Sequence, residues 1–501
     1  MKLNILDRTV AFFSPGAGLN RARQRAAMET VRSYEAARHS RRTDGWITSG
    51  TSAAAEAGPA IARLRANARD MVRNNPYAAR AVSIIASNAV GTGIEAKSRT
   101  GDVELDKKVD ALWKKWAEDE CDADGQLDFA GLQHLAVRTI VEGGEVLCRF
   151  RPRRAADNME TVPLQLQLLE GDYLDTSRDT SATASGGFVR LGIEFDAIEN
   201  RSAYWLYRQH PGDATLTSRA GMESVRVPAE NIAHIYSKDR QGLPRGVTWF
   251  APVMMRVRDL DEFHEAALVK AKVEACLGVV VTRPDNEDAD PIGVERTDEN
   301  GQPIEGMEPG MVVYTKPGES IEVINPQGHT AYDPYTLQTL MAVASGMGIT
   351  YDQLTGDLRQ ASYSSLRAGK IEFRRNMERF QWQTLIKMLC KPTRKRWIAQ
   401  AIAAGKLPDR KSGYPTEWVA PKFERIDPLK DLKADILEVR AGGMTWDQMV
   451  ARNGYDPREQ LEAIAKHNAD LDRLGIVLET DPRRMSAGGQ AIPQPETESP
   501  D

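Results

Sequence analysis

A mostly helical α+β architecture follows from three features of the 501-residue chain. Apolar residues recur at helical spacing through long stretches on both sides of the middle of the chain. Between Gly144 and Tyr236 that period gives way to short β-rich runs divided by Gly, Pro and Asp. The composition, 41% hydrophobic and 27% charged, is that of a globular chain, and the length exceeds one ordinary core, so several lobes are expected.

Residues 1–60 read as a flexible basic N-terminal arm. Arg21, Arg23, Arg25, Arg32, Arg38, Arg41 and Arg42 gather there, and Thr48 to Ala57 lacks a core pattern. Residues 60–90 read as a helical stretch broken at Asn74-Asn75-Pro76, because proline has no N–H and restricts the residue before it. Gly91-Thr92-Gly93 ends the second piece. A helix around Asp106 to Ala117 sets Trp113 and Trp116 on one face, for core or inter-subunit packing. Asp128 caps a helix running to Glu142. Five strands follow: Glu145–Arg151, Leu164–Leu169, Gly187–Phe195, Ala203–Tyr207 and Ile232–Tyr236.

From Trp249 to Ala275 the helical period returns through Val253, Val257, Leu260, Phe263, Ala267 and Ala271. The small row Ala266, Ala267, Ala271 and Ala275 allows close helix approach. Val279–Thr282 and Met311–Tyr314 read as strands flanking an acidic insert, with Ile321–Ile324 as another strand. A helix over 334–347 stops on glycines, and a short polar loop leads to a strongly basic helix, about Ser362 to Ala404. Pro392 is expected to interrupt that helix, and Gly405 and Pro408 stop it. Further helical stretches end at Arg440, start at the cap Thr445, and follow Asp456-Pro457. After Arg484 a Ser-, Gly- and Pro-rich tail is expected to be disordered.

The chemistry of the chain is as informative in what it omits. A net charge of −5 argues against a tight nucleic-acid binder overall. No phosphate loop, no H-E-x-x-H and no G-x-S-x-G occurs, and the seven histidines are scattered, so neither an enzyme, a metal site nor a cofactor is expected. Cys121, Cys148, Cys276 and Cys390 lie far apart and read as buried free thiols. No apolar run approaches the roughly 20 residues of a membrane helix, and the start carries no secretory pattern, so no membrane partner and an intracellular origin are expected.

Several segments, taken in order, resemble the portal proteins of lambda-like bacteriophages. They are Arg69 to Gly93, Leu169-Glu170-Gly171-Asp172, His234-Ile235-Tyr236 with Arg240, Gln241 and Arg245-Gly246-Val247, and Pro309-Gly310 to Tyr314 with Gly318-Glu319. The run Gly346 to Asp357, then Tyr363-Ser364-Ser365-Leu366-Arg367, and Trp418 to Asp427 complete the set. The resemblance implies a phage portal fold of wing, stem, clip and crown, assembled as a dodecameric ring around a central channel. On this chain it places the wing at 61–247, stem helix 1 at 248–277, the clip at 278–328 and stem helix 2 at 329–350. The tunnel loop is then 351–362, the long basic helix and following strand 363–424, the crown-like helices 425–483 and the tail 484–501.

The same resemblance implies a conduit for double-stranded DNA, bound without sequence preference, in a virion assembled in the host cytoplasm. Its implied partners are the terminase large subunit, head–tail adaptors, and capsid and scaffold proteins. The tunnel loop would present Asp357, Leu358, Arg359, Gln360, Ala361, Ser362 and Tyr363 to the channel. Arg359 also reads as a solvated side chain of a capping loop, and Ser362 or Ser364 as a helix cap. Lys270 and Lys272 are stem channel candidates, although both also suit the C-terminal end of a helix dipole. Asp285, Glu287, Asp288, Asp290 and Glu295 are clip docking candidates, and Arg367, Arg374 and Arg375 inter-subunit candidates. Because each phosphate contact adds affinity through counterion release, a uniformly basic wall would hold DNA, so a mixed or acidic lumen is expected. Competing readings are a nucleic-acid-processing enzyme and a capsid-associated adaptor without a channel.

Overall fold

The computed structural model describes residues 44–45, 50–154, 157, 159–183, 186–213, 223–276, 280–281, 313–314, 332–359, 362–421, 427–478, 480–481 and 483–484. The chain divides into two units, residues 1–55 and 56–501, and the second carries the architecture below. Most of the basic arm, the bulk of the acidic insert, the strand expected at Ile321–Ile324 and the tail lie outside the described residues.

Helix α1 (Ala53–Asn74) begins inside the stretch read as arm, because alanine, the best helix former, opens it. The break at Pro76 stands. Asn75 caps α2 (Pro76–Val90) by accepting from the Ala78 N–H at 2.9 Å, and Gly91 ends it. After strand β1 (Glu95–Ser98), α3 (Val103–Asp119) and α4 (Phe129–Gly143) follow, the latter capped by Asp128 at 2.6 Å from the Gly131 N–H.

The β-rich part forms two antiparallel sheets. β3 (Leu164–Glu170), β2 (Glu145–Pro152) and β8 (Ile232–Tyr236) make one, with β2 in the centre. β4 (Phe188–Arg190), β5 (Ile193–Phe195), β6 (Arg201–Tyr207) and β7 (Ser224–Pro228) make the other. The single strand expected over Gly187–Phe195 is therefore a hairpin. Leu191 and Gly192 both take positive φ, +51° and +79°, the twist that a tight two-residue turn requires.

α5 (Met254–Cys276) runs out from the sheets and α6 (Tyr332–Met347) returns. Phe263 packs on Tyr335 with ring centroids 4.5 Å apart near the start of α6. A Cβ on Gly346, at the end of α6, would meet Val253 at 2.3 Å, so the two helices are antiparallel and close at the base. The close approach comes from Gly346; Ala266 and Ala271 of the small row are exposed in the single chain. Beyond α5, β9 (Val280–Val281) pairs in parallel with β10 (Val313–Tyr314), which joins the two ends of the acidic insert.

The basic helix is continuous from Tyr363. It runs as α8 (Tyr363–Phe380), a π-helical stretch Gln381–Cys390, and α9 (Lys391–Ala403). The interruption expected at Pro392 does not occur. Lys391 donates to the carbonyl of Ile386, five residues back, so the proline enters at the first turn of α9, directly after a stretch of widened pairing, where its missing N–H is best tolerated. β11 (Thr416–Val419) then returns to β1, with Ala96 opposite Trp418. Helices α10 (Pro428–Arg440), α11 (Trp446–Arg452) and α12 (Pro457–Leu474) finish the described chain.

The principal core gathers α2, α4, the base of α5 and α6, and the π-helical stretch. Trp113 lies 4.9 Å from Trp116 and 5.1 Å from Trp397, which settles the i,i+3 pair as core. Trp116 donates to the Leu164 carbonyl at 2.8 Å, so its polar end is paired as well. A smaller core under the four-stranded sheet joins Leu147, Ile193, Tyr204 and Leu206. Cys121, Cys148 and Cys390 are free and buried, and burial pushes the Cys148 thiol up to about 12. Among the described residues no helix is long and apolar enough to cross a membrane.

Candidate functional site

The loop that follows α6 is built on a short anchored helix. Gly348 turns the chain, Thr350 caps α7 (Tyr351–Thr355), and its N–H donates to the Gln353 side chain at 3.0 Å. Leu354 is fully buried, and Arg80 donates to the Gln353 carbonyl at 2.8 Å. Gly356, in the left-handed region, then releases the chain into Asp357, Leu358 and Arg359. Leu358 is 61% exposed.

Arg359 stands out into solvent but is not a loose cation. Its Nε and Nη2 donate to the two oxygens of Asp357 at 3.0 and 2.9 Å, and its backbone N–H donates to the same carboxylate at 3.0 Å. The Tyr351 hydroxyl adds a bond at 3.3 Å. These donors, the Arg359 side chain foremost, hold the Asp357 carboxyl well below the usual range. The loop tip therefore presents a neutral ion pair. Ser362 caps α8 by accepting from the Ser365 N–H at 3.2 Å. Gln360, Ala361 and the Tyr363 side chain lie outside the described residues.

The other expected residues are spread apart. Lys270 is half-buried and Lys272 exposed on α5. On α8, Arg367 pairs with Asp431 of its own chain at 3.1 Å, and Asp431 also accepts from the Asp427 N–H at 3.1 Å, tying α8 to the start of α10. Arg374 is half-buried and Arg375 exposed. Asp285, Glu287, Asp288, Asp290 and Glu295 lie outside the described residues.

Sequence reasoning missed a buried ionic hub. Glu145, at the start of β2, is fully buried. It accepts from Arg245 Nε at 2.7 and 2.9 Å, from Arg65 at 2.7 Å and from the Gly246 N–H at 3.0 Å. Arg65 reaches on to Asp172 at 3.0 Å, and Arg245 to the Gly171 carbonyl at 2.8 Å. His234 completes it. Arg201 can only donate, at 2.6 Å to Nδ1, so the ring carries its hydrogen on Nε2 and donates to Glu145 at 2.9 Å. Burial pushes His234 down to about 4, against the pull of Glu145, so it is neutral. Burial alone would raise Glu145, but Arg245 and His234 outweigh it and hold the carboxyl well below its usual range.

The hub explains why certain glycines stand where they do. A Cβ on Gly171 would lie 2.3 Å from the Glu145 carboxylate and 2.6 Å from Arg65, and one on Gly246 would lie 2.0 Å from the Gly144 carbonyl. Three of the segments singled out in the sequence, Leu169 to Asp172, His234 to Tyr236 and Arg245 to Val247, thus converge on one buried carboxylate. Their mixture of charge and glycine was the signal that could have found it.

One trio among the described residues has metal-ligand geometry: Glu170, Asp172 and His210 bring ligand atoms within 4.8 Å of one another. Arg69 occupies the cation position there, donating to both Glu170 and Asp172. The trio is charge-balanced without a metal.

Comparison with known proteins gives a consistent answer. The chain is 29% identical over 468 residues to the probable portal protein of Halomonas phage phiHAP-1, covering 89% of this chain and 88% of that one. It is 23% identical over 466 residues to portal protein B of Escherichia phage lambda, covering 83% and 85%. The portal protein of Escherichia phage N15 matches at 23% over 486 residues, covering 86% and 88%. Among solved structures, a chain in the neck of a native gene transfer agent particle, computed with C12 symmetry, is similar at TM-score 0.38 and 14% identity, over 78% of this chain and 94% of that one. A family model described as phage portal protein, lambda family, matches residues 39–381, well over half the length, and on that match the chain belongs to the lambda family of phage portal proteins.

Proposed function

We propose that the chain is one subunit of a dodecameric ring at a capsid vertex, a passive conduit through which double-stranded DNA is packaged and later ejected. The family match across 39–381 carries this reading. The ring would dock the terminase large subunit and then head–tail adaptors, contact capsid and scaffold proteins, and nucleate the procapsid in the host cytoplasm. The antiparallel pair α5 and α6 would form the stem, and the loop at Asp357–Arg359 would meet the DNA.

The loop's chemistry supports passage over retention. A free arginine repeated around a ring would add a phosphate contact per subunit, each strengthening DNA binding through counterion release. Here Asp357 neutralises Arg359. The pair can open briefly for a phosphate and close again, without reading bases. The test is DNA protection in heads assembled from the phage's own capsid proteins and terminase, with and without this chain. Nuclease-resistant DNA is expected only when the chain is present. Equal protection without it would remove the conduit role.

A further inference from the structure

The long basic helix carries a second feature, remote in sequence from the loop. Lys391, Arg394 and Lys395 on α9 fall at i, i+3 and i+4, and so share one face. Arg410 and Tyr414 from the segment leading into β11, and Thr416 on β11, face them across a cavity of about 390 Å³. Four cations line it, and among the described residues no carboxylate does.

Two of these cations hold unfilled donors. Arg394 is 2% exposed. Its Nη2 donates to the Ser98 hydroxyl at 2.8 Å, but its Nε and Nη1 are buried with no acceptor, as is Nη1 of Arg410. Trp113 and Trp397 lie 4.6 and 4.8 Å from the Arg394 guanidinium carbon. The rings favour a cation at their faces but accept nothing from its N–H edge. Asp110 approaches Arg394 only to 3.6 Å and already accepts from the Ser98 backbone and hydroxyl. A buried donor left unpaired costs its desolvation. Burial lowers Arg394 to about 10, with Asp110 opposing the shift only in part.

The missing partner must be rich in acceptors and bring more than one oxygen. A single side-chain carboxylate offers two oxygens against three unfilled donor nitrogens and four positive charges. A phosphate offers more oxygens in a tetrahedral array, matching the arginine fork while the lysines act as point charges. We propose that the pocket between α9 and β11 binds a phosphate oxyanion. The source is either free phosphate or the phosphodiester backbone of a nucleic acid.

The test uses the full chain and calorimetry with three probes: inorganic phosphate, a short DNA duplex of random sequence, and a polyglutamate peptide. The double variant Lys391→Ala/Lys395→Ala removes two exposed cations without touching the tryptophan core, and Arg410→Gln is a second, separate variant. Lys433→Ala, exposed on α10, is the control. Binding of phosphate that weakens by about tenfold or more in the double variant, and not in the control, supports a free-anion site. Binding of the duplex alone, with its salt dependence falling by about two in log–log slope in the double variant, supports a backbone site. Phosphate and duplex affinities unchanged in both variants would overturn the proposal. So would polyglutamate binding this pocket more tightly than either.

Discussion

Two of the arginine–carboxylate clusters among the described residues use the same chemistry to opposite ends. At Glu145 two guanidiniums, a neutral imidazole and a backbone N–H surround a carboxylate sealed from water. At Asp357 one guanidinium, 88% exposed, closes from the solvent side on a half-buried carboxylate. The first joins elements far apart in sequence: α1, β2, β6, β8 and the segment leading to α5. The second joins neighbours within one loop. Burial makes the first pair costly to break, because any remaining charge is stranded away from water. Exposure makes the second cheap to open. The hub is suited to fixing the shape of the lobe it sits in, and the loop, under the proposed function, to yielding to a passing phosphate.

Mutations can break that comparison. Glu145→Gln leaves Arg245 buried without a counter-charge and Arg65 with Asp172 alone, and urea unfolding of the full chain should register a loss of about 3–5 kcal/mol. Asp357→Asn should leave the same midpoint unmoved. Equal effects at the two sites would erase the distinction.

Acid probes the hub next. In the unfolded chain His234 takes up a proton near 6.5, but in the folded chain only at about 4. Between those values the unfolded state binds more protons, so stability is full above about 6.5 and falls with pH down to about 4. The loss from this residue amounts to about 3 kcal/mol at most. Glu145, held below its usual range, acts in the same direction at lower pH. Unfolding midpoints taken across this window should slope for the native chain and flatten for His234→Gln.

Gly171→Ala presses a methyl against Glu145 and Arg65, and should cost about 1–3 kcal/mol in the same unfolding assay. The smallest effect on folding belongs to the loop. Asp357→Asn frees Arg359, so assembled rings should retain DNA to higher salt, with a steeper salt dependence, while the unfolding midpoint stays put.

Much of the fold was legible because local chemistry dictates it. Pro76, Asp128, Thr445 and Asp456 mark helix starts by capping or by a missing N–H, and each sits where those rules place it. Ile232–Tyr236 was recovered residue for residue, since all five positions are buried and β-rich. Long-range events were not legible. β1 is a short strand recognisable only through its pairing with β11, more than three hundred residues on. Pro392 should have broken a helix by the local rule, and the widened turns before it are a tertiary outcome. The hub was hidden for the same reason. Arg65, Glu145, His234 and Arg245 each look like ordinary surface residues until the sheets bring them together. The loop residues stood out in sequence between their glycines, but the Asp357 clamp on Arg359 depends on a turn that the sequence did not announce.

The proposed function requires that this chain build a ring with an open channel. Native mass measurement of the purified full-length protein, with electron-microscope imaging of the same sample, addresses it most directly. Closed dodecameric rings with a central opening, or rings of a neighbouring stoichiometry, are the predicted result. A monomer or dimer persisting at high concentration and in the presence of its capsid partners would contradict it.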